Sequence, residues 1–435
     1  MSESPGGPSA YDAFAQRLVA GGILCDPWVD GRPRFRQEPV ILEQERHAEL
    51  CRAAEDVAAA CQAMASILLD EPRLLKDVLG LSPVQQTMWT ASAPAWHGLA
   101  RADVFFTDDG VAVAELNCDT PTGEAEAVVL GELASKDTGG AGTLDPSAVL
   151  EGRFLAMLEY VARRERIPGA GPARTVGLVY PTELTDDLPL VRLYRRWLES
   201  GGYGVVLGSP YNLTFEAGRT LLFDVPIDVL VRHYKTDWWG ERQSAWLEDP
   251  IEDDAPLAEP LRAVLTGMAA GTLAVVNPLG AVVPQNKRSF ALMWEQIHRF
   301  PLEVQAIIER HVPVTKRLEV MHTEQLLSQR AEWVIKSDYG AEGEEVILGR
   351  EVDDATWRQV LARARPGRWV AQQYFAAERD AGGASVNYGV FLVGGRASGL
   401  YARVQVGATD GRAKSAPALV RPREASERGQ RDRVR

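Results

Sequence analysis

The sequence of 435 residues is short of the side chains that most often carry metal or covalent chemistry: it has four cysteines and six histidines. Cys25, Cys51, Cys61 and Cys118 form no CxxC pair and the histidines are scattered, which argues against a disulfide framework and a structural zinc site. No histidine lies near Cys118 in sequence, so a small buried thiol is expected there and not a nucleophile. No stretch approaches the length of continuous apolar residues that a membrane helix needs, and the opening MSESPGGPSA has neither the basic nor the apolar part of a leader. A cytoplasmic protein outside the membrane is the expectation. Surplus basic charge is also missing. The net charge is −13, whereas a general nucleic-acid binder needs clustered Lys and Arg against phosphate backbones. That balance still allows a local basic pocket for a small anion. Neither GxGxxG nor GxxxxGK[ST] occurs, so the usual phosphate loops are absent. What is left is chemistry by positioning and electrostatics, not by a covalent triad.

What is present has the make-up of a folded chain, 46% hydrophobic and 25% charged, and its length calls for two or three modules or one large α/β core. Residues 1–10 read as disordered and 421–435 as a solvated charged tail. From about Pro39 to Leu79 apolar residues recur at helical spacing, and Ser82 followed by Pro83 offers an N-cap with proline at the first helical position. Between 174 and 280 short apolar strands (TVGLVYP, GVVLGSP, IDVLVRHYK, GTLAVVNP) alternate with helical text, the pattern of a mainly parallel, Rossmann-like sheet. Helices are expected at 286–299 and 301–310. They lead into EWVIKSD, RWVAQQYF and two strands joined by Gly394-Gly395 as an antiparallel hairpin. The expected divisions are 11–165, 170–285 and 286–420.

One stretch, RADVFFTDDGVAVAELNCDTPTG at 101–123, is unusual: it reads as a hairpin with acid at both outer ends. With a three-residue loop Asp108-Asp109-Gly110, Thr107 opposes Val111, Asp103 opposes Glu115 and Arg101 opposes Asn117. These four polar residues then share a face with Phe105, Val111 and Val113, while Phe106, Ala112 and Ala114 take the other. A two-residue loop would slip the register by one. Two readings fit. Two carboxylates and an amide oxygen across a ladder are donors of the kind Mg²⁺ takes. Alternatively this is an edge hairpin with solvated charges in which Arg101 neutralises Asp103. Lys287 at a helix start and Lys336 at the end of EWVIK could meet phosphate, with the glycine-bearing loop after Lys336 closing over it, or could be surface charge. The QQYF at 372–375 could present backbone groups to an adenine edge, or be core.

Taken in order, these elements resemble the glutathionylspermidine synthase-like branch of circularly permuted ATP-grasp ligases. RxD, ExN and DxPxG match Arg101, Asp103, Glu115, Asn117, Asp119, Pro121 and Gly123. The resemblance implies an α/β (α+β) fold, a circularly permuted ATP-grasp with an inserted Rossmann-like pre-ATP-grasp module. It implies Mg²⁺ on Asp103, Glu115 and Asn117, transition-state stabilisation by Arg101, and ATP held by Arg101, Asp103, Lys287 and Lys336. Glu342 and Gly343 of the lid and Gln372, Gln373, Tyr374 and Phe375 complete the nucleotide site. YKTDWWGE matches the family's tryptophan segment, whose threonine, here Thr236, contacts substrate. Thr120, Thr122, Glu183 and Arg232 complete the expected substrate set. Here Lys336 is followed by Ser337-Asp338, where the family usually has proline, and the tryptophan segment is altered. The amidase domain of bifunctional members is not expected. The implied activity is an ATP-dependent carboxylate–amine ligase that joins a small amino acid, peptide or polyamine through an acylphosphate, releasing ADP and phosphate. An ATP-binding regulatory protein of the same fold and a phosphotransferase are the alternatives.

Overall fold

The computed structural model describes residues 10–96, 98–140, 142–169, 173–241, 257–340, 346–364, 367–406 and 413–423. Residues 1–9 and most of the charged tail fall outside that set.

At the centre is a five-stranded sheet. Its order is Lys414–Ala416, Arg396–Val406, Ala384–Val393, Leu99–Thr107 and Gly110–Asn117. Alternation along Leu99–Thr107 divides its faces. Ala100, Ala102, Val104 and Phe106 point into the core packed by the helix Gln44–Asp70. Leu99 joins a second core on the opposite face, together with Phe391, Val393 and Tyr401. Arg101, Asp103 and Phe105 share that second face by the same alternation.

The opening hairpin pairs Arg101 with Asn117 and Asp103 with Glu115, as read from the sequence, but by another route. Thr107 pairs with Gly110, so the loop has two residues, Asp108 and Asp109, and Gly110 takes a φ of 121°. That turn alone would put Ala114 opposite Asp103. The register shifts between Asp103 and Val104, leaving Ala114 unpaired as a bulge that restores the pairing beyond it. On the second strand the turn-proximal faces are therefore exchanged relative to expectation, while Phe105 and Phe106 keep theirs. Val111 and Val113 oppose Phe106 and Val104 on the core side, and Ala112 opposes Phe105.

A second sheet is wholly parallel, in the order Ala274–Val276, Val229–Arg232, Thr175–Val179, Gly204–Gly208. All four strands are the expected ones. Thr175–Val179, Val229–Arg232 and Ala274–Val276 are short buried apolar runs, as a sheet covered on both faces requires, while the edge strand Gly204–Gly208 is mostly half-buried. A third sheet, Thr315–Arg317, Trp369–Gln373, Trp333–Ser337 and Val346–Leu348, is antiparallel throughout. Ser82 caps the helix Pro83–Ser92 in a reciprocal capping box with Gln85. Two helical expectations are corrected. Residues 40–43 form a strand pairing in parallel with Ala418–Arg421 before the long helix begins. The helix after Lys287 is short, Arg288–Glu295, followed by a 3-10 turn. A small sheet of Leu213–Glu216, Arg219–Leu222 and Val225–Pro226 was not foreseen.

Candidate active site

Asp103 and Glu115 stand side by side across the hairpin ladder, and cations converge on both. Asp103 is 2% exposed. Its Oδ1 accepts from Arg101 Nε at 2.7 Å, and its Oδ2 from an Arg403 guanidinium nitrogen at 2.6 Å and Asn387 Nδ2 at 3.2 Å. Glu115 accepts from Asn117 Nδ2 at 3.1 Å and lies 3.4 Å from Lys287 Nζ. Burial works to raise the Glu115 carboxyl, but Lys287, Lys336, Asn117 and Arg101 together outweigh it and bring it down to about 2. Glu115 is therefore ionised at any neutral pH. Asn117 Oδ1 faces Gln285 Nε2 at 3.5 Å, and Gln285 Oε1 also accepts the Cys118 and Asp119 amides.

The two lysines, 49 positions apart in sequence, are stapled together. The Lys287 amide donates to the Asp338 carbonyl at 2.9 Å, and Lys287 Nζ to the Gly340 carbonyl at 2.7 Å. Ser337, where the family usually has proline, uses its hydroxyl to accept the Gly340 amide at 2.9 Å. Lys336 Nζ donates to Gln372 Oε1 at 2.7 Å and to the carbonyl of the bulged Ala114 at 3.4 Å. Gln372 Nε2 turns to the same carbonyl and to Thr315 Oγ1. Burial lowers the Lys336 ammonium to about 8, with Lys287 adding to the fall and Glu115 and Asp103 opposing it.

The remaining expected residues divide. Gln372 is buried behind Lys336, whereas Gln373 is exposed and Tyr374 and Phe375 are half-buried. Phe375 packs on Phe105 with ring centroids 5.4 Å apart, and the Arg350 guanidinium sits 3.9 Å over the Tyr374 ring. Glu342 and Gly343 lie outside the described residues. Arg232 and Thr236 are both buried on Asp119: Arg232 meets Oδ1 at 2.5 Å, while the Thr236 amide and hydroxyl meet Oδ2 at 2.6 and 3.0 Å. Arg232 also donates to the Tyr234 and Asn277 carbonyls. Arg101 donates to the Thr122 carbonyl at 2.7 Å, and exposed Thr122 leads back to half-buried Thr120. Thr120 lines a pocket with Leu99, Pro121, Tyr194, His233 and Asn277. The pocket sits at the carboxyl ends of two parallel strands, where open α/β sheets take ligands. Glu183 is half-buried in the loop after Thr175–Val179, where Asp187 lies 3.3 Å from His233 Nε2.

Sequence reasoning missed Arg403, Asn387, Gln285 and Thr315. Arg403 and Asn387 reach the hairpin from other strands, Gln285 reaches it from a turn, and Thr315 holds Gln372 behind Lys336; none carries a local motif. Among the described residues no group of three or more His, Cys, Asp and Glu is placed to hold a metal ion, no helix is long and apolar enough to cross a membrane, and the cysteines are free, Cys118 being buried.

This is a mixed α/β chain in which a buried aspartate and a half-buried glutamate, two linked lysines and an aromatic edge meet at one sheet face. Residues 247–421, less than half the chain, match the family model described as glutathionylspermidine synthase preATP-grasp. The chain is glutathionylspermidine synthase-like through that stretch, which takes in Lys287, Lys336 and 372–375 but not the hairpin. A solved glutathione synthetase-like effector from Globodera pallida, in its apo form, has the same overall fold, with a TM-score of 0.59 at 10% identity over 97% of this chain and 100% of that one. A protein assigned as a gamma-glutamylcysteine synthetase from Methylobacillus flagellatus KT matches at 13% identity with a TM-score of 0.46, over 81% of this chain and 85% of that one. No curated protein matches the chain.

Proposed function

We propose that the protein is an ATP- and Mg²⁺-dependent carboxylate–amine ligase built on a circularly permuted ATP-grasp, and that the hairpin face is its phosphoryl-transfer site. The observation that carries the reading is the convergence of Lys287 and Lys336 on Glu115, which faces Asp103 across the ladder. A buried aspartate and a half-buried glutamate between two lysines and an arginine suit a bound polyanion with its metal better than a solvated edge hairpin. Asp103, Glu115 and the Asn117 amide oxygen are hard donors that fit Mg²⁺. Asp103 holds Arg101 and Arg403 in its place and Glu115 is already ionised. A metal there would neutralise phosphate charge.

The chain's own residues do the rest. Lys287 and Lys336 hold the phosphates, Arg101 stabilises charge moving between phosphate and substrate carboxylate, and the exposed edge at Gln373, Tyr374 and Phe375 receives the adenine. The carboxylate of the acid substrate attacks the γ-phosphate to give an acylphosphate as ADP leaves, and an amine displaces phosphate to give the amide. The narrow pocket at Thr120, beside Arg101's contact with Thr122 and lined also by Arg232, is where the reacting end of the amine meets the acyl group, and Thr122, Glu183 and Thr236 are assigned to the substrates from the sequence alone. The family match and the shared fold support this assignment. The substrates are a small acid, such as an amino acid or γ-glutamyl peptide, and an amine of the amino-acid or polyamine class.

The ion pairs on Asp103 favour one other reading, a nucleotide-binding protein without ligase activity, because Arg101 and Arg403 already neutralise that carboxylate. One experiment separates the two. The protein is given ATP and Mg²⁺ with a panel of amino acids, γ-glutamyl peptides and polyamines, and ADP release and hydroxamate formation with hydroxylamine are followed. ADP release that needs an acid, with a trapped hydroxamate, supports the ligase. ATP binding without ADP release from any pair supports the alternative, and a stable phosphorylated acid would make the protein a phosphotransferase.

A further inference from the structure

Glu124 is the first residue of the helix Glu124–Asp137 and is wholly buried. Its Oε1 accepts from the Tyr194 hydroxyl at 3.3 Å, and its Oε2 is buried with no hydrogen-bond partner. A buried carboxyl with an idle oxygen is costly, and most such groups in folded proteins are satisfied. Nothing in the phosphate clamp uses it. Its surroundings connect it to the site nonetheless. Tyr194 forms part of the wall of the pocket lined by Leu99, Thr120 and Pro121. Two residues before Glu124, the Thr122 carbonyl receives Arg101.

Resting on the ligase reading, we propose that Glu124 is the acceptor for the proton that the attacking amine must lose, reached from the pocket through the Tyr194 hydroxyl. As the amine nitrogen bonds to the acyl carbon, its proton passes to Tyr194 Oη and the tyrosine's own proton passes to Glu124 Oε1. The acyl carbon–oxygen bond breaks and phosphate leaves with the electron pair. Charge is conserved: the carboxylate becomes neutral, and Tyr194 is unchanged at the end of the step.

The groups that face Glu124 are Arg101 from the strand, Tyr194 from the helix Leu188–Ser200 and Glu126 from its own helix. Burial pushes its carboxyl up to about 8; its own backbone amide, Arg101 and Tyr194 oppose the rise and Glu126 adds to it. A base of that strength is matched to work near neutrality.

The test uses the full-length protein, its isosteric variant Glu124→Gln, and Tyr194→Phe. Each is given ATP, Mg²⁺ and the same acid panel, with hydroxylamine or spermidine as the nitrogen nucleophile. Hydroxylamine is unprotonated at neutral pH and nucleophilic enough to attack an acylphosphate with water taking its proton, so it does not depend on a base of the protein. Both variants are expected to keep hydroxamate formation within about twofold of the wild type while spermidine or amino-acid ligation falls about a hundredfold or more. Referred to the concentration of unprotonated amine, the rise of wild-type ligation with pH through about 8 should vanish in Glu124→Gln. Equal loss with both nucleophiles, or a pH limb that survives Glu124→Gln, overturns the assignment. Tyr194→Phe covers the case in which Glu124→Gln does not fold. A wild type that forms no hydroxamate with any acid overturns the ligase reading instead, and this step with it.

Discussion

Lys336 is the residue whose charge the site controls most closely. It is 6% exposed, bonded to Gln372 and to the bulge carbonyl, and its ammonium is lowered to about 8. Its charge is present below that pH and lost above it. Affinity for an ATP analogue measured by calorimetry should therefore fall about tenfold as pH rises from 7 to 9.5, the loss of one charge-assisted contact. Lys336→Met should bind weakly with no such pH dependence, and a wild-type affinity flat across that range would remove Lys336 from the phosphate clamp. Glu124 makes a prediction of opposite kind, on stability. Its folded value of about 8 lies above the ordinary 4.5, so the folded chain holds a proton that the unfolded chain releases. Its favourable contribution is complete below about 4.5 and drains away as pH rises toward 8. Glu124→Gln should flatten that decline, so urea denaturation at pH 9 should show a gain relative to the wild type that is absent at pH 4.5. No gain at pH 9 would mean the carboxyl is not held neutral. At this scale the sequence was legible where spacing was local. Asp103 and Glu115 could be paired by counting across a turn, whereas Arg403, 300 positions from Asp103, could not. Gln372 was visible only as part of the adenine edge, because nothing in QQYF says which glutamine points inward.

Among the elements, the hairpin shows how a right answer can rest on two compensating differences. The loop is one residue shorter than expected and the strand carries one residue more. An alanine bulge has no composition signal, since alanine suits either a ladder or a gap in one, so periodicity alone could not reveal it. The bulge gives Lys336 and Gln372 a carbonyl that a regular ladder would spend on its neighbour. Deleting Ala114 should leave a regular hairpin in which Asp103 still faces Glu115 and the cores still match. Thermal stability should then change little while affinity for an ATP analogue drops about tenfold, one buried polar contact to the lysine being lost. Unchanged affinity would make the bulge a matter of twist alone. Elsewhere, helices and buried parallel strands were legible because their apolar runs are long or strongly periodic. The strand Val40–Glu43 was hidden inside a helical-looking stretch because its partner, Ala418–Arg421, lies at the far end of the chain. The small sheet at 213–226 was hidden because strands of two to four residues carry too few alternations to read.

At the scale of the molecule, Asp119 is the node that joins the hairpin's outgoing chain to the parallel sheet. It ties Arg232 at the end of one parallel strand and Thr236 at the start of the next helix, and both ion-pair partners are essentially sealed from solvent. Removing one partner leaves the other charge buried and alone. Asp119→Asn or Arg232→Met should each cost about 3–5 kcal/mol by urea denaturation. A double variant, Asp119→Leu with Arg232→Met, should recover part of the loss, and single variants as stable as the wild type would show the pair to be dispensable. The sequence placed Thr236 near substrate through its resemblance to the family's tryptophan segment, with Arg232 in the same expected set. That both bond to a residue 113 or more positions earlier is a fact of tertiary assembly.

Phe105, Asp103, Arg101 and Leu99 follow one another along one face of a single strand, with Phe375 at one end and the Thr120 pocket at the other. At about 3.4 Å per residue, Arg101 stands about 14 Å from Phe105, and Leu99 about 20 Å from it. Backbone of this kind does not stretch, so the strand is a ruler. It fixes how far apart the two ends of any bound molecule must lie, whatever loops close over them. Molecules would be sorted here by reach as well as by charge.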